Sequence, residues 1–596
     1  MAGTGWINRP FRYQGIEMNE KTKTGFEILK VALAIGVLGD VLLRSTPWGL
    51  NVLLFNTAFA AGMIMILYRR APELLTKQAF ALFGALIFFA SMFVWHDSIE
   101  LRLADTAAII AILSVLFLPN MKVTTQLAGV FQYGVAFLWS SFNAAFGTGV
   151  LLGADITWKT LPNSGWRKHV FSAVRGLAIA APLVLIFGAL FMAADAAYEG
   201  LVQRVFNIRP EILFSHALLF SLFSWMTAGY LRGVTTNAAT ADVADPESVK
   251  PDADPDLSPV DNMRAEAGEK ASGLPNDRSI LEHINISDPP DKKDEPKPTE
   301  KKWDWAKFDN TVMPPVFTLG TIEIGVILGL LNLLFLSFVI IQVPYLFGGM
   351  DLVQTTPDFK LAEYARRGFG ELVAVSALVL PMLLASHWLI RKENPFTEKL
   401  FRMLAGVQIA LLFVIMASAV QRLMLLTGNL GYGLTTVRLY PLIFMSWLAI
   451  VFVWFGVTVL RGARKHFAWG ALWSAFLILG ATHVLNPDEF IVKTNIALMR
   501  EGREFDARYN SNLSDDALPV LVNSFVELNE VDQGIVLRAL ARRNCEKSDE
   551  TDLRSWNYAR TRASDALNPY REVLAGQTPK CGADQPNNVA LEEGNQ

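Results

Sequence analysis

The chain has 596 residues, of which 52% are hydrophobic and only 18% charged, whereas soluble domains carry roughly 25% charged residues. With a mean hydropathy of +0.31, this composition excludes an ordinary soluble protein. The net charge of −3 provides no basic face or stripe, which excludes nucleic acid as a partner.

Residues 1–24 form a polar arm with Arg9, Arg12, Lys21 and Lys23, and the first apolar run opens near Phe26. No cleavable leader is expected, so the first span should act as an uncleaved anchor. Runs long enough to cross a bilayer follow at 26–43, 48–68, 78–95 and 103–118, at roughly 17–25 residues per helix. The next run, 124–149, is weak, because Gln126, Gln132, Ser140, Ser141 and Asn143 interrupt it. Strong runs resume at 176–194 and 212–231, which completes a first membrane group over 25–231.

Residues 232–308 read as a cytoplasmic linker. Its central part, 236–302, is rich in Pro, Asp, Glu, Lys, Ser and Ala and has no apolar period. Such a composition cannot bury enough surface to fold, so disorder is expected. At its end Trp303, Trp305 and Phe308 alternate with Lys301, Lys302 and Lys307, the pattern either of a segment lying at the headgroups or of a solvated linker end. A second membrane group over 309–485 carries runs at 317–343, 368–390, 403–425, 440–460 and 467–485.

Beyond Leu485 the pattern becomes that of a soluble helical domain, 486–575, with a loose tail over 576–596. Asn486-Pro487-Asp488-Glu489 reads as a helix start with proline in the first turn. Phe490, Ile491, Ile496 and Met499 should face inward. Ser514-Asp-Asp opens a second helix that buries Leu518, Leu521 and Phe525, and further helices are expected over Val531–Arg543 and Leu553–Leu567.

Basic residues mark the cytoplasmic side of a membrane protein. They gather in the arm and in the connections with Arg69, Arg70 and Lys77; Lys159, Arg167, Lys168 and Arg175; Arg391, Lys392, Lys399 and Arg402; and Arg461, Arg464 and Lys465. Twelve spans would put some of these outside. The conflict disappears if the 124–149 run is re-entrant or interfacial. The expectation is therefore an all-α, polytopic protein with about eleven spans, or twelve if that run crosses. The N-terminus and linker would be cytoplasmic and the small C-terminal domain extracytoplasmic. Cys545 and Cys581 are the two cysteines of the chain. Both lie in or just after the exported segment, which points to a disulfide, with two unpaired thiols as the alternative.

This topology places Asp40, Arg44, Asp97, Asp105, Asp195, Arg366, Arg367, Glu371, Arg422 and Arg438 near the outer helix ends. Charges there are costly unless they are paired or hydrated. Arg366, Arg367, Glu371, Arg422 and Arg438, with Asp40 and Asp195 as further acids, are expected to form a polar cluster. It is either an anion-binding vestibule or a set of ion pairs that locks helices together. His387 and His483, near helix ends, read as core or interface residues rather than metal ligands.

The runs Ala362–Leu372, Gln421-Arg-Leu, Tyr432–Tyr440 and Leu513-Ser-Asp-Asp-Ala-Leu-Pro519 resemble the bacterial multi-pass membrane family known as domain of unknown function 4173, or the similar domain of unknown function 4153. Arg175-Gly-Leu-Ala and Ala194-Asp195 fit as well. The resemblance implies a bacterial inner-membrane protein and transfers no catalytic role.

There is no phosphate loop, no zinc-type histidine pair and no serine elbow. No metal site, cofactor or catalytic residue is assigned, and enzyme chemistry has no support. Three functions stay open. The first is a non-enzymatic membrane scaffold or signalling partner that binds other proteins through 236–302 and 486–575. The second is a transporter, which would want charges at mid-membrane. The third is an enzyme acting on an anionic lipid-linked substrate at the outer leaflet, with the four arginines holding phosphates or a lipid headgroup.

Overall fold

The computed structural model describes residues 20–44, 46–158, 210–235, 318–347, 369–390, 395–424, 427, 433–546 and 552–576. They belong to one compact unit, Met1–Ala239 with Trp305–Gln596; the other unit, Thr240–Asp304, lies outside the described residues, and so does the expected linker apart from residues 232–235, which are helical.

The fold is all-α. Among the described residues no strand forms, and a single parallel bridge joins Leu319 to Ile390. The membrane part comprises α1 (Glu20–Leu43), α2 (Leu50–Arg70), α3 (Lys77–Trp95), α4 (Ile99–Leu116), α5 (Val130–Val150), α6 (Pro210–Thr235), α7 (Thr321–Phe347), α8 (Phe369–Leu389), α9 (Pro395–Met424), α10 (Thr436–Thr458) and α11 (Phe467–Leu485). Shorter helices follow: α12 (Pro487–Arg500), α13 (Ala507–Ser511), α14 (Leu518–Asn523), α15 (Glu530–Glu546), α16 (Tyr558–Leu567) and α17 (Arg571–Gly576).

Nine helices among the described residues are long and apolar enough to cross a membrane: α2 to α5, with α4 and α5 extended to Met121 and Asp155, and α7 to α11. The expected eleven or twelve is not confirmed among the described residues. The 176–194 run lies outside the described residues. Helices α1 and α6 are not among the nine, and α1 carries Glu27, Lys30 and Asp40 within its apolar run. The 124–149 run, expected as re-entrant or interfacial, contains one uninterrupted helix that continues into a π turn. Three of its polar residues bond locally: Gln132 accepts from the Gly129 N–H at 2.7 Å, Ser140 donates to the Phe137 carbonyl at 3.0 Å and Asn143 to that of Trp139 at 2.9 Å. A helix that satisfies its own polar groups needs no turn to hydrate them.

Three cores hold the fold. The first packs α1 to α6 around Phe83, Leu86, Phe89, Ile112 and Phe117, and Phe476 of α11 joins it with its ring 5.2 Å from Phe89. The second packs α7 to α10 around Phe401, Leu412, Phe452 and Phe455. The third is that of the C-terminal domain, with Ile491, Val492, Ile496, Leu518, Leu521, Val536 and Leu567, and it takes in Leu434 and Leu439 from the start of α10. Ile491 and Ile496 face inward as their spacing requires, while Phe490 stays 38% exposed. Asn486 makes the corner between α11 and α12 in the left-handed region, φ 51°, a conformation Asn tolerates better than most residues, and Pro487 follows in the first turn of α12.

Helices α5 and α6 approach backbone to backbone. A Cβ on Gly147 would lie 2.8 Å from the Gly229 carbonyl oxygen, and one on Gly229 would lie 2.9 Å from that of Ala144. Small residues permit such close contact in a bilayer. Gly229→Leu is expected to push the two helices apart at a cost of about 1–3 kcal/mol. The check is a lowered thermal midpoint in detergent, and a wild-type midpoint would refute the contact.

Candidate functional site

The site lies where the ends of α1 to α4, α10 and α11 meet the C-terminal domain. The opposite helix ends meet elsewhere: Arg70 pairs with Glu27 at 2.7 Å, Thr22 with Thr157 at 2.7 Å, and Thr321 with Thr397 at 2.5 Å.

Every α-helix leaves unpaired N–H groups at its start and unpaired carbonyls at its end. Here the domain supplies the missing partners. Between α3 and α4 the chain runs extended through His96 and Ser98. The Asp516 carboxylate accepts from the backbone N–H of Asp97 at 2.7 Å and of Ser98 at 3.2 Å, and from the Ser514 hydroxyl at 3.2 Å. It also pairs with Nδ1 of His96 at 2.8 Å. A carboxylate at a helix start is favoured by the aligned peptide dipoles. Asn557 donates to the carbonyls of Phe93 and His96, both at 2.8 Å, closing the end of α3, and its own oxygen accepts from the Arg560 N–H to start α16. The Trp556 carbonyl accepts from the Leu50 N–H of α2 at 3.0 Å, Arg554 donates to the Val41 carbonyl of α1, and the Tyr509 hydroxyl accepts from the Thr436 N–H of α10 at 2.7 Å.

A second buried pair stands beside the first. His483, near the end of α11, pairs through Nε2 with Asp105 of α4 at 2.8 Å, and its ring stacks on His96 at 5.2 Å. His483 is thus a buried interface residue, as its position near a helix end suggested.

Next to these pairs lies a cavity of about 670 Å³, lined among others by Glu100, Arg102, Asp488, Asp515, Arg543 and Arg560. Its arginines are engaged. Asp97 accepts from Arg560 at 2.8 Å and from Arg102. Arg543 pairs with Asp515 at 3.1 Å and donates to the carbonyls of Ser511 and Leu513. Asp488 differs: one oxygen accepts from the Ser514 N–H at 3.2 Å, while Oδ1 is buried with no hydrogen-bond partner. Burial, with Glu100 and Asp516 nearby, holds the Asp488 carboxyl above the usual carboxylate range. An acid raised in the folded state binds protons that the unfolded chain has released, so stability falls as pH rises from the ordinary Asp value through the folded one. Asp488→Asn is expected to remove that loss and to leave the protein as stable as wild type, or more so, at neutral pH. Thermal midpoints measured from acid to neutral pH are the check; a lower midpoint at neutral pH would contradict it.

The expected site residues are placed as follows. Asp40 pairs with Arg44 at 3.7 Å and with His216 at 2.5 Å, between α1 and α6. Glu371 stands in the first turn of α8 and Arg438 in that of α10, where Arg438 donates to the Gly433 carbonyl. Arg366, Arg367, Asp195, Cys581 and the side chains of Arg422 and Cys545 lie outside the described residues. Among the described residues no group of three or more His, Cys, Asp or Glu side chains could hold a metal. Sequence reasoning passed over His96, Asp516, Asn557, Arg543 and Arg560. One signal existed: Asp516 falls in the run Leu513–Pro519, one of those on which the family resemblance rests.

These features define a multi-pass α-helical membrane protein. The family model described as Domain of unknown function (DUF4153) matches residues 83–257 and 285–524, and the chain belongs to that family. Of the two similar families the sequence suggested, domain of unknown function 4173 is not supported. No curated protein and no solved structure matches the chain.

Proposed function

We propose that the protein is a non-enzymatic membrane scaffold or signalling partner that holds a helical docking domain rigidly at one membrane face. The observation that carries this reading is the use of the charges at that face. The arginines lining the cavity are turned onto protein carboxylates and carbonyls, an arrangement suited to locking a domain in place. A site for phosphates or anionic headgroups would keep such groups ready for the ligand. The buried pairs likewise join helices to each other and to the domain.

Proteins would dock through 236–302 and 486–575. The test is in-membrane crosslinking and recovery of the complex. The same partners should be recovered with wild type and lost when 236–302 is deleted from a chain that still inserts. Solute flux in proteoliposomes, or turnover of an anionic lipid-linked substrate that depends on these arginines, would overturn the reading.

In this reading the protein sits in the bacterial inner membrane, as the family resemblance implies, with the domain on the extracytoplasmic side, as the basic connections support. Alkaline phosphatase fused after Gly582 is expected to be active, and a cytoplasmic reporter at that position silent. The reverse pattern would invert the topology.

A further inference from the structure

Charged groups of two kinds line the cavity beneath the C-terminal domain. The arginines are matched: Arg102 and Arg560 converge on Asp97, and Arg543 lies on Asp515. Asp488 and Glu100 form a carboxylate pair that none of these arginine bridges reaches. Glu100 accepts from the Ser98 hydroxyl at 3.0 Å and Asp488 from the Ser514 N–H at 3.2 Å, both neutral donors. Asp516, close by, faces His96 and backbone N–H groups. Asp488 is only 2% exposed, and its Oδ1 has no partner. A buried polar atom without a partner in a native structure calls for an explanation, and an ion or ligand is one of the standard ones.

We propose that this pair binds the ammonium group of an organic amine, with Asp488 as its principal partner and Glu100 as the second carboxylate. Three observations select this class of ligand. Asp97 and Asp515 are taken by the arginines while Asp488 and Glu100 are not, so the charge still to be matched is negative and the ligand is a cation. The described residues offer no group of three His, Cys, Asp or Glu side chains that could hold a metal, so a metal that needs three such ligands is not served. And the cavity, about 670 Å³, is also lined by Pro47, Ile99, Leu513 and Tyr509, which gives an organic body apolar and aromatic surface to lie against. Burial, and after it the negative field of Glu100 and Asp516, disfavours ionised Asp488, and such a charge would offset both. The inference does not rest on the scaffold reading, since a scaffold and a transporter could equally hold an amine here.

The ammonium has two available sources, a soluble amine or the ethanolamine headgroup of a lipid at this membrane face, and the test separates them. Full-length protein is placed in phosphatidylglycerol nanodiscs and titrated with cadaverine, with its uncharged diacetyl derivative as control. In parallel it is placed in nanodiscs that contain phosphatidylethanolamine. Unfolding midpoints are read for wild type, Asp488→Asn and Glu100→Gln. A rise with cadaverine but not with the diacetyl compound, requiring about tenfold or more amine in Asp488→Asn, supports the site with a soluble ligand. A rise only with phosphatidylethanolamine, lost in Asp488→Asn, supports it with a lipid. Glu100→Gln should weaken either response and provides the reading if Asp488→Asn does not fold. No response in either arm, a response that both variants retain, or stabilisation by magnesium or calcium alone would overturn the proposal.

Discussion

Replacing Asp516 by alanine is expected to detach the C-terminal domain from α3 and α4 and to lower the unfolding midpoint of the detergent-solubilised protein. The carboxylate accepts from two backbone N–H groups at the start of α4 and faces the ring of His96, and Asp516 and His96 are both buried. A buried donor stripped of its acceptor costs about 1–3 kcal/mol. At least two backbone donors are stripped here, and water entering the gap would recover part of the sum, so the net loss should be roughly 3 kcal/mol. Asp516→Asn keeps an acceptor oxygen and should lose less. Limited proteolysis provides a local reading: cleavage near α13 and α14 should appear in Asp516→Ala before the membrane part unfolds. An unchanged midpoint together with an unchanged cleavage pattern would show that Asp516 does not hold the domain.

Much of the fold was legible because apolar runs near twenty residues have few alternatives in a bilayer. The corner at Asn486 and Pro487 was legible for a local reason, since a left-handed Asn followed by proline ends one helix and starts another. The site was legible only in part. Asp97 and Asp105 could be placed near helix ends as costly charges, but their partners could not be named. His96 and Asp516 stand 420 positions apart, and His483 and Asp105 stand 378 apart. No local pattern encodes such pairings. Ser514-Asp515-Asp516 looked like the opening of a helix, yet Asp516 serves the start of α4 instead. The run at 124–149 looked weak because of its polar side chains, but Gln132, Ser140 and Asn143 turn onto nearby backbone, and Val130–Asp155 is long and apolar enough to cross a membrane. The arginine cluster around Arg366 and Arg422 was inferred from helix-end positions, which say where a charge lies along the membrane normal and not which helix face it occupies.

Asp97→Ala is the sharper test of whether the domain face is a lock or a binding site. In wild type this carboxylate serves two guanidiniums at once, Arg102 of α4 and Arg560 of α16, and all three side chains are less than one-fifth exposed. Removing the partner of a buried charge costs about 3–5 kcal/mol, and here one change strips two. Carbonyls soften the loss: Trp48 accepts from Arg560 at 2.8 Å and from Arg102 at 3.3 Å, and Ser555 accepts from Arg560 at 3.0 Å. The expected net effect is roughly 3 kcal/mol, read as a lowered midpoint in Asp97→Ala. Asp97→Asn should fall in between, because an amide oxygen accepts hydrogen bonds without the charge. The two freed guanidiniums would then face the cavity and present the fork that recognises phosphate or sulfate. Millimolar sulfate should therefore raise the midpoint of Asp97→Ala and leave wild type unmoved, with chloride at equal ionic strength as the control for screening. If sulfate stabilises wild type as strongly as the variant, the arginines already bind an anion in the native protein, and the lock reading fails. If neither protein responds and Asp97→Ala melts like wild type, the pairing of Arg102 and Arg560 with Asp97 does not hold the domain to the membrane helices.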